Sequence, residues 1–284
     1  MKHLKLALVL VLALVVATAS SAAVQLGGLG KKLKDAKDVA DAFNIDDTRE
    51  IEMGSAAHPQ LLAQMGGQSK DKKLNDYVAK VGNRLAKSAQ RKAIKYQFFV
   101  VNTSDVNAFA MPGGFVYVTA GMLAFLQDEA ELAAVMGHEI AHVEQRHGVE
   151  KMRKAVLAEK GADYGAQAAA GSVGPQVAGL VANLFANIAL SGYGRSQELE
   201  ADEEGLKFSN AAGYDPNGAV RAFQRLLELE GGAKPKGFNN FFASHPPTDK
   251  RIKQAESQIA GLGTKGTETN KPQYGQATQS LKTR

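Results

Sequence analysis

The chain has 284 residues, of which 44% are hydrophobic and 22% are charged, a balance typical of a globular protein with a sizeable core. It contains no cysteine, which excludes disulfides, thiolate metal ligands and a cysteine nucleophile. The formal net charge is +5, but residues 1–22 carry +2 and residues 261–284 carry +3. The body of the chain is therefore neutral, which argues against a nucleic-acid-binding protein.

The first 22 residues predict a secretory signal peptide. Lys2 and Lys5 precede an apolar run over 6–17, and small residues then offer cleavage sites after Ala19 or Ala22. The run is short for a membrane-spanning helix, and an uncleaved N-terminal anchor is the alternative. An exported chain without disulfides indicates the bacterial periplasm or cell exterior, and we expect one domain over 23–260 there.

Periodicity and composition predict a mainly helical α+β domain with a small β-sheet. Helices are expected over 31–43, 47–66 and 69–90, the last having apolar residues three and four apart. Residues 96–101 and 115–119 are aromatic and β-branched, which is typical of strands. Between these strands, the turn residues Pro112, Gly113 and Gly114 indicate that the segment 107–114 lies at a sheet edge. Helical patterns resume at 121 and continue to about 259.

Two segments in the second half of the chain have unusual compositions. Residues 166–190 are rich in Ala, Gly and Val, but the most apolar part, 177–190, is short for a membrane span. We expect a buried or partly exposed helix; the alternative is a surface facing membrane or substrate, which leaves peripheral membrane association open. Residues 261–284 lack periodicity and are rich in Gly, Thr, Gln and Lys, which predicts a disordered basic tail.

A metal-binding pattern, His138-Glu139-Ile140-Ala141-His142, falls within the predicted helix 131–145. Residues four apart on a helix lie on one face about 6 Å apart in rise, so two imidazoles can bind one zinc ion. Glu139 lies about 100° round from His138, where a general base would stand beside the metal. A buried helix with two structural histidines is the alternative.

The sequence offers candidates for a third ligand. Glu198 and Asp202 are one helical turn apart, while Glu200 is expected to point about 200° away from Glu198. Five carboxylates within residues 198–204 also fit a solvated acidic face. If the first helix continues, His147 points away from the metal, and we interpret it as a helix-end residue that complements the dipole.

Four motifs occur in the order of a known family. They are Asn107-Ala108-Phe109-Ala110-Met111-Pro112-Gly113-Gly114, Gly137-His138-Glu139-Ile140-Ala141-His142, Glu198-x-x-Ala201-Asp202, and Ser244-His245-Pro246-Pro247-Thr248 with Arg251. Over about 45–258 the chain resembles the HtpX-like and CAAX-prenyl-protease family, family 48 of the metallopeptidases, of gluzincin type. The resemblance implies one zinc ion per chain, held by His138, His142 and Glu198. It also implies Glu139 as the base and Asp202 as a hydrogen-bond partner of a ligand.

The resemblance assigns the remaining site residues as well. His245 is expected near the metal, as a resting-state ligand or an oxyanion donor, and Arg251 is a second oxyanion candidate. The segment Asn107, Ala108, Phe109 and Ala110 is expected to pair with an extended protein or peptide substrate. Membrane members of the family have several spanning helices, and none is evident here after the signal.

We therefore expect a zinc-dependent metalloendopeptidase similar to the soluble periplasmic members, which resemble proteases of envelope-protein quality control. The alternative is a zinc-containing chaperone-like or binding protein with little hydrolysis. Neither the substrate nor the oligomeric state is predicted by the sequence.

Overall fold

The structure is a computed structural model, and it describes residues 45–158, 175–230, 245 and 249–282. The predicted signal peptide and the predicted helix over 31–43 lie outside the described residues. The chain divides into two compact units, 1–45 with 153–172 and 46–152 with 173–284. The candidate site belongs entirely to the second unit. The boundaries 23–260 of the expected domain stay a prediction.

Helices dominate the described residues, and three short strands form one sheet. The helices are α1 (Asp47–Gln64), α2 (Lys72–Ala86), α3 (Ala120–Phe125), α4 (Glu129–Glu144), α5 (His147–Ala158), α6 (Pro175–Ser191), α7 (Arg195–Ala211), α8 (Asn217–Glu230), α9 (Asp249–Gly261), α10 (Lys271–Ala277) and α11 (Gln279–Lys282). The strands are β1 (Gln97–Val101), β2 (Ala108–Met111) and β3 (Phe115–Thr119). The predicted mainly helical α+β class is confirmed.

Aspartate caps define where three of these helices begin. The side chain of Asp46 accepts a hydrogen bond from the backbone N–H of Arg49 at 2.8 Å, at the start of α1. Asp71 starts α2 in the same way, and Asp128 starts α4 by accepting from the N–H of Glu131 at 2.9 Å. Each cap satisfies a backbone donor that the first helical turn leaves free.

The sheet has the strand order β1-β3-β2, with β1 parallel and β2 antiparallel to β3. Strand β2 is therefore an edge strand, as the turn residues predicted. Gly113 and Gly114 make the turn into β3 with φ angles of 85° and 92°, which only glycine adopts readily. On the opposite edge, the N–H of Ser69 donates to the carbonyl of Val100 at 2.8 Å, which caps β1. All four residues of β2 are buried, and α6 packs against the strand.

Helix α4 runs through the core and is buried along most of its length. The sheet, α2, α7 and α8 all pack against it. The apolar positions that predicted α2 form its inner face, since Leu74, Val78, Val81 and Leu85 are at most 1% exposed. The spacing of three and four between apolar residues therefore predicted both the helix and its buried face.

Helices α4 and α7 cross at two glycines. A Cβ on Gly137 would lie 2.7 Å from the carbonyl oxygen of Gly205, and a Cβ on Gly205 would lie 2.6 Å from the backbone nitrogen of His138. Both distances are shorter than real Cβ contacts. Because neither residue has a side chain, the two backbones approach closely, and the polar side chains next to Gly137 on α4 and before Gly205 on α7 converge.

The apolar segment predicted over 166–190 contributes helix α6. Phe185 and Ile188 of this helix are buried, whereas Asn183 and Asn187 are exposed. The expectation of a buried or partly exposed helix is confirmed for the described part of the segment. No helix among the residues that the structure describes combines the length and apolarity needed to cross a membrane.

The prediction of a disordered tail over 261–284 is wrong for the described residues. This segment contains α10 and α11, and Tyr274 is buried with its hydroxyl donating to the carbonyl of Leu123 at 2.6 Å. Arg84 donates two hydrogen bonds to the carboxylate of Glu268, at 2.7 and 2.8 Å. Composition did not predict these contacts of Tyr274 and Glu268, which attach the segment to α3 and α2.

Candidate metal centre

The imidazoles of His138 and His142 lie on one face of α4 and are both buried. Their Nε2 atoms are 3.0 Å apart, so the two rings direct these nitrogens at the same point. This is the arrangement that the spacing of four residues predicts for a pair of ligands on adjacent turns.

Helix α7 brings a carboxylate to the same point. Oε2 of Glu198 lies 3.4 Å from Nε2 of His138, and Oε1 lies 3.6 Å from Nε2 of His142. Glu198 is only 3% exposed, whereas Glu203 on the same helix is exposed and pairs with Lys207. A solvated acidic face therefore describes Glu203 but not Glu198.

His245 reaches this cluster from outside the two helices. Its Nδ1 lies 2.9 Å from Oε2 of Glu198 and 3.3 Å from Nε2 of His138. Its Nε2 lies 3.7 Å from Oε1 of Glu139. The structure thus places one ring nitrogen of His245 at Glu198 and His138 and the other near Glu139.

The four side chains fit a divalent metal. One donor atom from each of His138, His142, Glu198 and His245 lies within 4.8 Å of all the others. Tetrahedral zinc with bonds of about 2 Å separates its ligand atoms by about 3.3 Å. The close contacts above, from 2.9 to 3.6 Å, bracket that value. Oε1 of Glu198 is also buried and accepts no hydrogen bond from any described residue, as expected of a ligand atom.

Glu139 stands beside the cluster without belonging to it. Its side chain is 1% exposed, and its Oε2 accepts no hydrogen bond within the described part of the chain. Burial raises the pKa of the Glu139 carboxyl, although the neighbouring His245 and His138 oppose the shift. A buried carboxylate with one free oxygen is suited to taking up a proton.

Asp202 and Arg251 lie on the Nδ1 side of His138 and orient its ring. Oδ1 of Asp202 lies 2.8 Å from Nδ1 of His138, and Arg251 donates from Nε and Nη2 to the same carboxylate at 2.7 and 2.6 Å. Burial disfavours the charged carboxylate, but Arg251 outweighs it and keeps the pKa of Asp202 low. An ionised Asp202 accepts the Nδ1–H of His138 and leaves Nε2 free to bind a metal.

The two histidines of α4 differ in their protonation. Burial disfavours the charged form of both, but hydrogen bonds to Asp202 and Glu198 raise the pKa of His138 to about 10. The pKa of His142 is held well below its ordinary value by burial and by the charge of His138. Since a ligand nitrogen must be unprotonated, protons and metal compete at His138, and metal affinity falls as the pH is lowered.

The expected substrate-binding residues separate into two groups. Ala110 lines a small cavity that it shares with His142 and Tyr193, on the side of the cluster. Phe109 stacks instead on Tyr117 of β3, with ring centroids 4.7 Å apart. Asn107 and Ala108 are both buried where β2 begins to pair with β3.

The expectation for His147 is wrong. It does not point away from the site, because its Nδ1 lies 2.8 Å from Nδ1 of His142. Helix α4 ends at Glu144, and Arg146 then adopts a left-handed conformation with φ of 58°, so His147 begins a new helix instead of continuing the old one. A left-handed residue that is not glycine leaves no signal in the sequence.

Tyr193 and Glu200 are further site neighbours that the sequence did not reveal. The ring of Tyr193 stacks on His142, with centroids 4.2 Å apart and planes inclined by 25°. Oε2 of Glu200 lies 3.2 Å from Nε2 of His147. The one sequence signal for Tyr193 is its position just before the helix that carries Glu198.

Comparison with known proteins agrees with this geometry. The model of "Peptidase family M48" matches residues 72–259. Metalloprotease YcaL of Escherichia coli is 30% identical over 194 residues, covering 68% of this chain and 72% of the relative. Metalloprotease LoiP of the same organism is 25% identical over 233 residues, covering 82% and 89%.

A longer relative matches only in part. The beta-barrel assembly-enhancing protease of Yersinia pestis is 30% identical over 194 residues, covering 66% of this chain and 39% of the relative. The chain thus spans about two fifths of the length of the relatives with that name. The family match covers most of the chain and includes every residue of the cluster. The chain therefore belongs to peptidase family M48.

Proposed function

We propose that the chain is a zinc-dependent endopeptidase that degrades misfolded proteins of the cell envelope. The observation that carries the proposal is the convergence of His138, His142 and Glu198 beside the buried, free carboxylate oxygen of Glu139. In this assignment the three residues hold one zinc ion per chain and Glu139 is the general base. A structural zinc site has no use for such a carboxylate, so a purely binding or chaperone-like protein is not favoured.

Zinc, when bound, polarises the scissile carbonyl and acidifies a water molecule. Glu139 takes the proton of the attacking water on its free oxygen and later delivers that proton to the leaving amine. Burial raises the pKa of Glu139 and so favours its uptake of the proton from water, which the carboxyl then holds until the amine leaves. Asp202, fixed by Arg251, keeps His138 in the tautomer that leaves Nε2 available.

The substrate is proposed to bind as an extended strand along β2. An edge strand offers backbone groups to a peptide, and Ala110 lies on the side of β2 nearest to His142. In this pose the scissile bond comes next to Glu139 while side chains of the substrate alternate between cleft and solvent.

His245 is proposed to gate or assist the reaction. Its Nδ1 is close enough to Glu198 and His138 to act as a resting ligand, and its Nε2 faces Glu139. His245→Ala raises activity if the residue is a resting ligand, and lowers it by two to three orders of magnitude if it is an oxyanion donor. Arg251, with Nε and Nη2 donating to Asp202, is proposed mainly to orient that carboxylate.

The compartment and substrate class rest on two supports. The pattern of residues 1–22 favours export, and the relative in Yersinia pestis is named a beta-barrel assembly-enhancing protease. We therefore propose the bacterial periplasm, with cleavage of the signal after Ala19 or Ala22. N-terminal sequencing of the exported protein should begin at Ser20 or Ala23, and recovery of Met1 in a membrane fraction would contradict export by cleavage.

The activity is tested with the purified chain and an unfolded protein substrate. We expect internal cleavage that a chelator stops and stoichiometric zinc restores. In the cell, replacement of the wild type by Glu139→Gln should cause damaged envelope proteins to accumulate. If the wild type binds zinc but cleaves no protein, the zinc-containing binding protein is the correct alternative.

A further inference from the structure

We propose that His147 and Glu200 form a relay that positions His142 for metal binding. The inference rests on the proposed zinc site and adds two positioning residues to it. The relay starts at the face of His142 that points away from the cluster and ends at the half-exposed carboxylate of Glu200.

The relay consists of two hydrogen bonds, one between His142 and His147 and one between His147 and Glu200. Nε2 of His142 faces His138 and Glu198, and its Nδ1 lies 2.8 Å from Nδ1 of His147. The other nitrogen of His147, Nε2, lies 3.2 Å from Oε2 of Glu200. His147 is itself 3% exposed, so its hydrogen bonds to His142 and Glu200 replace those it would make to water.

These contacts fix the position of every proton. A metal ligand must present a bare nitrogen, so Nε2 of His142 carries no hydrogen and its Nδ1–H donates. The acceptor is Nδ1 of His147, which places the hydrogen of His147 on Nε2, where Glu200 accepts it. Only this assignment gives each of the two short contacts a single proton, with Glu200 setting the tautomer of His147 and His147 that of His142.

The two helix histidines are therefore supported differently. His138 donates directly to the buried, ionised Asp202, whereas a neutral imidazole stands between His142 and its carboxylate. Tyr193 holds the ring plane of His142 by stacking on it, which leaves rotation within that plane to be fixed by His147. Removal of His147 leaves the Nδ1–H of His142 without an acceptor in a buried site.

Zinc affinity of the full-length chain, measured by competition with a chromophoric chelator, tests the relay. His147→Leu removes both hydrogen bonds and should weaken zinc binding about 10- to 100-fold, as loss of a partner behind a ligand does. His147→Asn retains an acceptor near the position of Nδ1 and should recover most of that loss. Glu200→Gln should give a smaller loss, and Glu203→Gln, an exposed carboxylate on the same helix, should give none.

A second readout reports the tautomer itself. In the zinc-loaded protein labelled with ¹⁵N-histidine, His142 should show a protonated Nδ1 coupled to an unprotonated Nδ1 of His147. His147→Leu should shift the His142 signal, and the metal-free variant should retain the wild-type circular dichroism if the effect is local. If His147→Leu misfolds, the zinc affinities of His147→Asn and Glu200→Gln test the relay instead.

The outcomes distinguish failure of the relay from failure of the proposed zinc site. If Glu198→Gln loses zinc but His147→Leu and Glu200→Gln retain wild-type affinity, the relay is overturned and the zinc site stands. If His147→Asn is as weak as His147→Leu and the NMR spectrum shows the opposite tautomer, the relay is also wrong. A wild-type chain that binds no zinc would overturn the proposed function and the relay with it.

Discussion

Glu139 and Glu198 are buried carboxyl groups in one site with opposite pKa shifts. Burial raises the pKa of both, but at Glu198 the charges and hydrogen bonds of His245 and His138 outweigh it and hold the pKa well below its usual range. A carboxyl that stays ionised is suited to bind metal, and one that readily takes a proton is suited to be a base. The environments of the two residues thus support the division of roles that we propose.

The assignment of Glu139 predicts a variant that separates chemistry from metal binding. Glu139→Gln keeps the size of the side chain but cannot accept the proton, so peptide hydrolysis should fall at least about a hundredfold. Zinc content should remain near one ion per chain, as measured by elemental analysis of the dialysed protein. Loss of zinc together with activity would make Glu139 a ligand and overturn the division of roles.

Three carboxylates of α7 form a graded series for zinc affinity. Glu198→Gln removes a donor atom and should weaken binding by several orders of magnitude, whereas Asp202→Asn should weaken it about 10- to 100-fold. Glu203→Gln is the control, since Glu203 is exposed and contacts only Lys207 among the pairs described. Calorimetric titration with zinc measures all three. Equal small effects would show that the acidic helix is not part of the site.

Among the site residues, the sequence alone predicted those whose spacing is set by a single helix. The four-residue interval brought His138 and His142 together, and no other information was needed. Glu198 could not be chosen among five neighbouring carboxylates by composition, and the family resemblance selected it. His147 was misplaced because its position depends on the left-handed turn at Arg146.

Among the elements, the C-terminal segment is held by side chains of α2 and α4 and by a backbone carbonyl of α3. Glu129, in the first turn of the metal-binding helix, accepts hydrogen bonds from Tyr77, Tyr214 and Asn270. Its backbone N–H donates to the carbonyl of Thr269 at 2.9 Å. The segment therefore contacts the beginning of the same helix that carries the site.

This packing predicts that α10 contributes to global stability. Tyr274→Ala should lower the free energy of unfolding by about 3–5 kcal/mol, because it removes a fully buried aromatic ring. Tyr274→Phe removes only the hydrogen bond to Leu123 and should cost about 1 kcal/mol. Urea unfolding followed by circular dichroism gives both values. The exposed Gln276→Ala is the control, and equal stability of all variants would return the segment to the disordered state that composition predicts.

The pair of Arg84 and Glu268 gives the attachment a pH dependence. Hydrogen bonds from Arg84 lower the pKa of Glu268 from 4.5 to about 2. A carboxyl with a lowered pKa in the folded state contributes stability above about pH 4.5 and loses it as the pH falls towards 2. Because the pair is partly exposed, the contribution is at most about 1 kcal/mol.

Glu268→Gln tests this contribution directly. The variant should be less stable than the wild type at pH 7, and the difference should shrink when unfolding is measured between pH 4.5 and 3. In 1 M salt the difference should be smaller at neutral pH, since salt screens exposed charges. A constant difference across this range would mean that the charge of Glu268 has no part in the attachment.

Local patterns predicted the elements that are amphipathic in themselves, and they failed where contacts are remote. The inner face of α2 is readable from neighbouring residues, and β3, although buried on both faces, is readable from its aromatic and β-branched residues. The anchors of the tail are single residues, and their partners lie 151 residues away for Tyr274 and 184 for Glu268. A rule based on composition averages over such residues, so it predicts disorder.

For the whole molecule, the crossing of α4 and α7 at Gly137 and Gly205 determines whether the site exists. Gly205→Ala inserts a methyl group 2.6 Å from the backbone nitrogen of His138, so the helices must separate. We expect a loss of about 1–3 kcal/mol in stability and a marked loss of zinc affinity. Thermal unfolding and chelator competition measure the two effects.

Gly275→Ala is the matched control for this crossing. Gly275 also lies in a helix, but nothing is within 4 Å of a Cβ placed on it. Alanine there should leave stability unchanged or raise it slightly, because it reduces the freedom of the unfolded chain. If both glycine variants behaved alike, helix propensity and not the close approach would explain the effect.

The separation of the donor atoms along the chain has a consequence for turnover of the protein itself. Glu198 follows His138 by 60 residues, and His245 follows Glu198 by another 47. The unfolded chain could bring these atoms together only by closing long loops, so the ion binds the native state alone and stabilises it by mass action. At a free metal concentration of a thousand times the Kd, the gain is about 4.1 kcal/mol. On the proposed zinc site, we therefore expect the lifetime of the protein to follow the metal supply: when zinc is scarce, the molecules that lack activity should also be the first to unfold.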